Sequence, residues 1–290
     1  MQLTPAPTTM PSASKMLDSH HHLWSYSPAE YPWIPQGSPL QKDYLIPELE
    51  TATQAAGLSG TVAVQARQSL QETRWLLDLA DSSPLIQAVV GWLPLASPTL
   101  EASLEQLATH PKLKGARHVL QDEPESFFDD PDFNRGLTLL PSHHLTYDLV
   151  IYQNQLPAAI RLVDRHPHLS FIIDHLAKPE IHRGRIEPAW LAGITELAKR
   201  ENITGIKFSG LATECRDPEI HEPTLRNYFH ETLRLFGPHR LMYGSDWPVS
   251  LLRQPDYLTW AEMAKRIASD LTENERAAFL SGNAARIYNL

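Results

Sequence analysis

Cysteine is almost absent from this 290-residue sequence: Cys215 stands alone, so no intrachain disulfide can form and nothing indicates an oxidising compartment. No run of about 18 apolar residues occurs, so we expect no membrane-spanning helix. The net charge is -9 without a basic stripe, which argues against nucleic acid or membrane surfaces as partners. Residues 1–15 lack the apolar core of a signal peptide and are expected to be a disordered tail. We therefore expect a cytoplasmic protein with one globular domain at 16–290.

Short apolar or β-branched runs alternate along the chain with amphipathic stretches of helical periodicity. This alternation indicates parallel strands joined by right-handed crossover helices, and eight units favour a closed barrel. A doubly wound open sheet is the alternative, but no Gly-rich phosphate loop follows the first strand. We therefore predict a single-domain α/β fold, the (β/α)8 or TIM barrel. The predicted strands span 15–21, 60–66, 86–92, 115–120, 146–152, 170–176, 205–211 and 240–247. The predicted helices span 47–56, 70–82, 98–110, 133–143, 156–167, 187–201, 224–237, 257–270 and 272–290.

Three consecutive histidines, His20, His21 and His22, stand at the end of the first predicted strand. Because side chains alternate along a strand, His20 and His22 should share one face while His21 points the other way. Two imidazoles about 6–7 Å apart along one face can converge on a metal ion or on a substrate carbonyl oxygen. The histidine pair alone leaves a structural role open.

Two other predicted strands also end in polar residues. The sixth ends in Asp174 and His175, and the eighth ends in Asp246. Core packing does not explain them, because burying an unpaired carboxylate costs several kcal/mol. Asp246 could instead cap the following helix. Strands one and eight adjoin in a closed barrel, so His20, His22 and Asp246 should lie close together.

The chain resembles the amidohydrolase superfamily from about residue 17 to its C-terminus. More narrowly, it resembles the lactonase branch that includes L-fuconolactone and L-rhamnonolactone hydrolases and 2-pyrone-4,6-dicarboxylate lactonase. The His-x-His pair, the strand-six His and the strand-eight Asp are specific to the superfamily. The lactonase branch is indicated by YPW at 31–33, RHVLQ at 117–121 and DHLAKP at 174–179.

The resemblance implies a barrel enzyme that hydrolyses a cyclic ester. Asp246 would be the general base that takes a proton from the attacking water, and we expect partial burial to raise its pKa. The imidazoles of His20, His22 and His175 would polarise the carbonyl or hold a metal ion that does so. If a metal is bound, its ligands would be these histidines and Asp246, and zinc is the ion that suits them best.

The sequence departs from the superfamily's binuclear pattern at the fourth strand. Lys114 precedes that strand, and no lysine stands at its C-terminal end to be carbamylated and bridge two metals. The fifth strand has Tyr152 and Gln153 where a ligating histidine would be expected. We therefore expect either no required cofactor, as the resemblance to related lactonases implies, or one divalent metal.

Further polar and aromatic residues at or near strand ends could bind the substrate, either at the developing carboxylate and ring oxygen or by lining the pocket. Each could equally be a salt-bridge or packing residue. These candidates are Arg117, His118, Gln65, Tyr152, Lys207, Trp24 and Trp247, with Lys178 as an additional cation. The long connection at 23–46 is rich in aromatic residues and is interpreted either as a pocket wall or lid or as a loop packed on the barrel rim.

The preferred hypothesis is a lactonase that opens a small-molecule lactone, a sugar-acid lactone above all. The alternative enzyme is a mononuclear-zinc decarboxylase or amide hydrolase of the same superfamily, and a barrel that binds a ligand without catalysis is the third reading. The sequence contains no heptad seam and gives no oligomeric state.

Overall fold

Eight parallel strands pair in chain order in one sheet, in a computed structural model that describes residues 16–253 and 256–290. The carboxyl end of the first strand pairs with the segment that follows the last strand, through backbone hydrogen bonds from His22 N to Trp247 O, 2.7 Å, and from Asp246 N to His20 O, 2.8 Å. The predicted (β/α)8 barrel is therefore confirmed. The predicted tail at 1–15 lies outside the described residues. The strands are β1 (Met16–His21), β2 (Leu58–Val64), β3 (Ile86–Gly91), β4 (Leu113–His118), β5 (Thr146–Leu149), β6 (Phe171–Ile173), β7 (Ile203–Phe208) and β8 (Leu241–Tyr243).

The helices of the described chain lie between and after these strands, as the alternating pattern predicts. They are α1 (Ile46–Gln54), α2 (Leu70–Ser82), α3 (Leu100–Leu107), α4 (Pro131–Leu139), α5 (Leu156–Arg165), α6 (Pro188–Ala198), α7 (Leu211–Glu214), α8 (Glu222–Phe236), α9 (Tyr257–Ile267), α10 (Glu273–Ala277) and α11 (Asn283–Ile287). Within the described residues, none of them has the length and apolar character needed to cross a bilayer.

Helix boundaries follow local capping chemistry. The Ser69 hydroxyl accepts a hydrogen bond from Glu72 N and starts α2, and Thr272 forms the predicted capping box with Glu275 at α10. Helix α4 ends earlier than predicted, at Leu139, because Pro141 lacks the N–H that would continue the ladder. The single helix predicted over 272–290 is instead α10, a wider π turn over 278–282, and α11.

Two apolar cores hold the barrel. The larger packs the outer faces of the strands against the helices, and the smaller fills the barrel interior. Each fully buried aliphatic side chain contributes about 1.5–3 kcal/mol. The C-terminal helix α11 takes part in the inner core through Ala284, and Tyr288, directly after the helix, joins the same core. The interior core also contains Leu17, Val62, Val64, Ala88, Val90, Ile172 and Met242.

Strands β6 and β8 stop sooner than the predicted spans of 170–176 and 240–247. After Ile173 the chain enters a tight turn in which His175, Leu176, Ala177 and Lys178 all have positive φ, between 45° and 59°. Asp246, three residues beyond β8, has φ of 56°. Left-handed backbone cannot continue a strand, so these residues stand on turns just past the carboxyl ends of the strands. That is the end of a barrel at which active sites are built.

Candidate active site

A cavity of about 500 Å³ opens at the carboxyl ends of the strands. Its walls come from the segments that follow β1, β2, β4, β5, β6, β7 and β8. His22, His175 and Asp246 line it, together with the guanidinium-bearing Arg117 of β4. The segment at 23–46 supplies part of the wall through Glu30, Pro32, Trp33 and Pro35.

The three predicted imidazoles surround one carboxylate. Asp246 Oδ1 lies 3.4 Å from His22 Nε2, 3.8 Å from His20 Nε2 and 3.8 Å from His175 Nε2. His20 Nε2 and His22 Nε2 are 3.2 Å apart. His21 faces elsewhere, with its Nε2 3.0 Å from the Thr61 hydroxyl. The structure thus brings together the four side chains that the strand ends singled out, although their chemical roles stay a prediction.

Each imidazole is held by a partner on its far side. His22 Nδ1 donates to the Val64 carbonyl oxygen, 2.8 Å, and Nε2 is the ring nitrogen that faces Asp246. His175 Nδ1 lies 2.9 Å from the Ser209 hydroxyl, which can donate or accept. His20 Nδ1 lies 3.3 Å from Asp174 Oδ1. These contacts fix ring orientation before any substrate arrives.

Gly210 allows His175 and Asp246 to approach each other. A Cβ at Gly210 would lie 2.5 Å from His175 Nδ1 and 2.9 Å from Asp246 Oδ2, and the residue has φ of 66°. Both the space and the backbone conformation therefore require glycine. On the other side of the left-handed turn, Trp190 Nε1 donates to the Leu176 carbonyl oxygen at 2.6 Å and holds the turn against α6.

The charge states of the cluster follow from burial and neighbours. Burial lowers the pKa of His175 to about 4 and that of His20 well below its ordinary value, so both rings are neutral at pH 7. Burial alone would raise the pKa of Asp246, but the neighbouring His175 and His22 outweigh it and the pKa is lowered. The expected upward shift of the Asp246 pKa was therefore wrong, because the cost of burial is smaller than the stabilisation by its polar neighbours.

A buried charge network lies beneath the histidines. Lys207 Nζ is 2.5 Å from Asp148 Oδ2 and 2.9 Å from Asp174 Oδ1, and all three side chains are fully buried. Arg117 NH1 reaches Asp174 Oδ2 at 2.9 Å, and the Tyr288 hydroxyl donates to Asp148. Two cations thus balance two carboxylates. Burial raises the pKa of Asp174 by itself, but the Lys207 charge, followed by His20 and Arg117, holds it well below its ordinary value.

Lys207 was predicted to bind substrate, but its placement does not support direct contact with a molecule in the cavity. Its ammonium group is inside the barrel, where it also lies 3.2 Å from His20 Nδ1, and it does not line the cavity. Asp148 and Asp174 hold the ammonium there, whereas Arg117, at the matching next-to-last position of β4, reaches the cavity.

Arg117 and Lys178 line the cavity, whereas the other candidate substrate-binding residues do not. Trp24 is fully buried and packs edge-on against Tyr44, which in turn packs against Trp247. His118 bonds to Glu123 and stacks on Phe127. Gln65 is fully buried, and its backbone oxygen accepts from Arg117. Tyr152 is 37% exposed under the Lys178 ammonium, outside the cavity lining. These placements do not support direct substrate contact by the five candidates Trp24, Trp247, His118, Gln65 and Tyr152.

Several wall residues carry no strand-end signal and were missed. Arg67 forms an ion pair with Glu30 across the cavity mouth, and Glu214, after β7, lies 3.9 Å from Lys178 Nζ. Glu72 on α2 accepts hydrogen bonds from Ala66 N, 3.1 Å, and Arg67 N, 2.9 Å, which shapes the wall that follows β2. Of these residues, only Glu72 has a signal in the sequence: its spacing from Ser69 is a helix-capping pattern.

The donor set fits a zinc ion. His20 Nε2, His22 Nε2 and Asp246 Oδ1 are separated by 3.2, 3.4 and 3.8 Å. Ligands at the usual Zn–N distance occupy the corners of a tetrahedron with edges of about 3.3 Å. All three residues are buried, and the far-side bond of His22 to a carbonyl is the arrangement that metal-binding histidines favour. A second ion beside Asp174 does not fit, because the Lys207 and Arg117 cations already contact that carboxylate.

Fold and site together define a (β/α)8-barrel enzyme with a histidine–aspartate centre at the carboxyl ends of its strands. A protein-family model described as amidohydrolase matches residues 17–290, so the chain belongs to the amidohydrolase family. The predicted family and the predicted enzyme class, a hydrolase, are thereby confirmed.

Individual relatives match nearly the whole chain. An L-fucono-1,5-lactonase from Burkholderia multivorans is 40% identical, over 94% of this chain and 96% of its own. An L-fucono-1,5-lactonase from Burkholderia ambifaria is 35% identical, over 94% and 95%. A crystal structure of a Burkholderia multivorans amidohydrolase with bound zinc superposes with a TM-score of 0.90 at 38% identity, covering 95% of this chain and 99% of that one.

Proposed function

We propose that this protein is a lactonase that opens a sugar-acid lactone of the L-fucono-1,5-lactone type to the corresponding hydroxy acid. The observation that carries the proposal is the Asp246 carboxylate, buried among three imidazoles on the floor of the cavity. The names of the two relatives at 35% and 40% identity support the choice of a cyclic ester as substrate.

In this mechanism Asp246 removes a proton from a water molecule as its oxygen attacks the lactone carbonyl carbon. The lowered pKa keeps Asp246 ionised at neutral pH and therefore ready to accept that proton. The tetrahedral intermediate then collapses, the ring C–O bond breaks, and the proton held by Asp246 passes to the leaving alkoxide. An ester leaving group makes this sequence less demanding than amide hydrolysis.

The imidazoles play different parts because their far-side partners differ. His22 Nδ1–H donates a hydrogen bond to the Val64 carbonyl oxygen, and in the neutral ring Nε2 then accepts a hydrogen bond from the attacking water. The Ser209 hydroxyl can donate to His175 Nδ1, and His175 Nε2–H then faces the cavity and donates to the developing oxyanion. Arg117 adds positive charge at the cavity floor, where its NH1 lies 3.4 Å from His20 Nε2.

When a zinc ion is bound, His20, His22 and Asp246 would hold it, with His175 beside them, and it would supply a Lewis acid for the carbonyl. The proposal covers lactone hydrolysis with one bound divalent metal and lactone hydrolysis without a metal. Turnover that survives exhaustive chelation supports the metal-free form.

The test is a screen of L-fucono-1,5-lactone and a panel of other aldonolactones with a pH indicator, with and without chelator. We expect acid release from at least one sugar-acid lactone well above the spontaneous rate. Absence of turnover across the panel in both zinc-loaded and chelated protein would contradict the proposal. Zinc-dependent turnover of an aromatic carboxylate or an amide in the same assays would favour the decarboxylase or amide-hydrolase alternative.

A further inference from the structure

The cavity walls carry more negative than positive charge. Glu30, Asp122 and Glu214 line the walls, whereas the wall cations among the described residues are Arg67 and Lys178. The imidazoles, Asp246 and Arg117 belong to the floor, where the carbonyl chemistry takes place. The walls contact the part of a substrate that lies away from the reacting carbonyl.

Both wall cations already face carboxylates. Arg67 NH1 is paired with Glu30, and Lys178 Nζ lies 3.9 Å from Glu214 Oε1. Arg117, below them, is bound to Asp174 at 2.9 Å. Within the described residues Asp122 has no ion-pair partner, so its charge adds to that of the two pairs. A carboxylate on the substrate would therefore meet like charge and find no uncommitted cation.

We infer that these walls select an uncharged polyhydroxy lactone over a lactone that carries a carboxylate, and that Glu214 is the residue that enforces this choice by neutralising Lys178. The inference deepens the proposed function and rests on it. The wall carboxylates accept hydrogen bonds from hydroxyl groups, which a sugar-acid lactone supplies in abundance.

Glu214 is suited to this role by its burial. Its side chain is 8% exposed, and Lys178 beside it is 16% exposed, so the pair is screened weakly by solvent. Removing the Glu214 charge would leave the Lys178 ammonium facing the cavity without its wall partner. Lys178 could then bind the carboxylate that the wild-type wall repels.

The experiment compares two lactones that differ in one group. L-galactono-1,4-lactone ends in a hydroxymethyl group, and L-galactaro-1,4-lactone has a carboxylate in its place. We expect the wild-type protein to favour the neutral lactone in kcat/KM by about 100-fold, and Glu214→Gln to reduce that ratio at least about fivefold at pH 8. Glu105→Gln is the matched control, because Glu105 is exposed on α3, has no ion-pair partner among the described residues and does not line the cavity. It should leave the ratio unchanged.

A second variant covers the case in which Glu214→Gln does not fold. Lys178→Gln removes the cavity-lining cation beside Glu214, whose other cationic neighbour, Arg216 at 4.0 Å, does not line the cavity, and should increase the preference for the neutral lactone. Equal kcat/KM for both lactones in the wild type, or an unchanged ratio in both cavity variants, would overturn the inference. Titration calorimetry with the same two lactones separates this outcome from failure of the proposed function: without turnover, tighter binding of the neutral lactone still supports the charge selection, and equal or tighter binding of the charged lactone overturns it.

Discussion

Two buried carboxylates flank His20 and differ in what surrounds them. Asp174 lies within 2.9 Å of both the Lys207 ammonium and the Arg117 guanidinium. Asp246 lies 3.4–3.8 Å from three imidazoles and has no lysine or arginine nitrogen within 4.0 Å among the described residues. Asp174 is therefore held in ion pairs with two cations, whereas Asp246 has oxygen lone pairs that are available to accept a proton. A carboxylate at a strand end is therefore not a general base by position alone. The charged or neutral side chains around it determine whether it is free to accept a proton.

Glu72 extends the comparison to a third buried carboxylate. It is held by two backbone N–H groups and the Tyr31 hydroxyl, and burial raises its pKa to about 7. The three carboxylates therefore form a series: paired with cations, surrounded by imidazoles, and bound only by neutral donors. The pKa is held well below its ordinary value at Asp174, is lowered at Asp246 and is raised at Glu72.

The largest effect on stability is expected from breaking the cation network. Lys207→Met leaves Asp148 and Asp174 buried without their shared cation, which should lower the free energy of unfolding by about 3–5 kcal/mol. Urea denaturation followed by circular dichroism measures the change. Lys199→Met, an exposed lysine on the surface, is the control and should change stability by less than about 0.5 kcal/mol. Equal stability of the two variants would contradict the assignment of Lys207 to the interior network.

A smaller and pH-dependent effect is expected at Glu72. Because its folded pKa of about 7 exceeds the ordinary 4.5, the folded protein binds this proton more tightly than the unfolded chain. The contribution of Glu72 to the free energy of unfolding is therefore largest below pH 4.5. It is lost as the pH rises from 4.5 through 7. Relative to Glu72→Gln, the wild type should lose up to about 3 kcal/mol over that interval.

Urea denaturation of wild type and Glu72→Gln at a series of pH values tests this prediction. Glu105→Gln, on the exposed face of α3, controls for a simple change in net charge and should track the wild type. A difference between wild type and Glu72→Gln that does not vary with pH would show that Glu72 titrates as an ordinary glutamate.

The smallest effect is expected at the cavity wall. Trp33 is 41% exposed, lines the cavity and donates from Nε1 to the Ala66 carbonyl oxygen. Trp33→Ala should raise KM about threefold to tenfold, because it removes apolar contact with the substrate without touching the cavity floor. Leu258→Ala, which is similarly exposed on α9 and outside the cavity, should leave KM unchanged. Lactone kinetics measure both, and a fall in kcat alone would contradict a binding role for Trp33.

The barrel could be predicted from the sequence because its signals are local. Each strand is a short apolar run, each helix has its own periodicity, and His20, His22, His175 and Asp246 interrupt apolar strands where they end. The ends of β6 and β8 were harder to predict from the sequence. After β6, four consecutive residues have left-handed backbone, and residue types such as Leu176 and Ala177 do not indicate that conformation.

The rest of the site depends on contacts between distant segments. In the sequence Lys207 has the position of a strand-end cation, and only the structure shows that Asp148 of β5 and Asp174, directly after β6, pair with it inside the barrel. Arg67 and Glu214 line the cavity because of the paths that the segments after β2 and β7 take, and no local sequence pattern specifies those paths. The direction of the Asp246 pKa shift is a balance between burial and three neighbours, and the sequence gives only the neighbours' identities.

The central claim, that Asp246 is the available base, is tested most directly by the lactone hydrolysis rate of Asp246→Asn. The amide has the same shape and cannot accept the proton of the attacking water. We predict that kcat falls by about 10³-fold or more, while the unfolding temperature stays within about 3 °C of the wild type. A variant that folds normally and retains more than about a tenth of wild-type turnover would contradict the account.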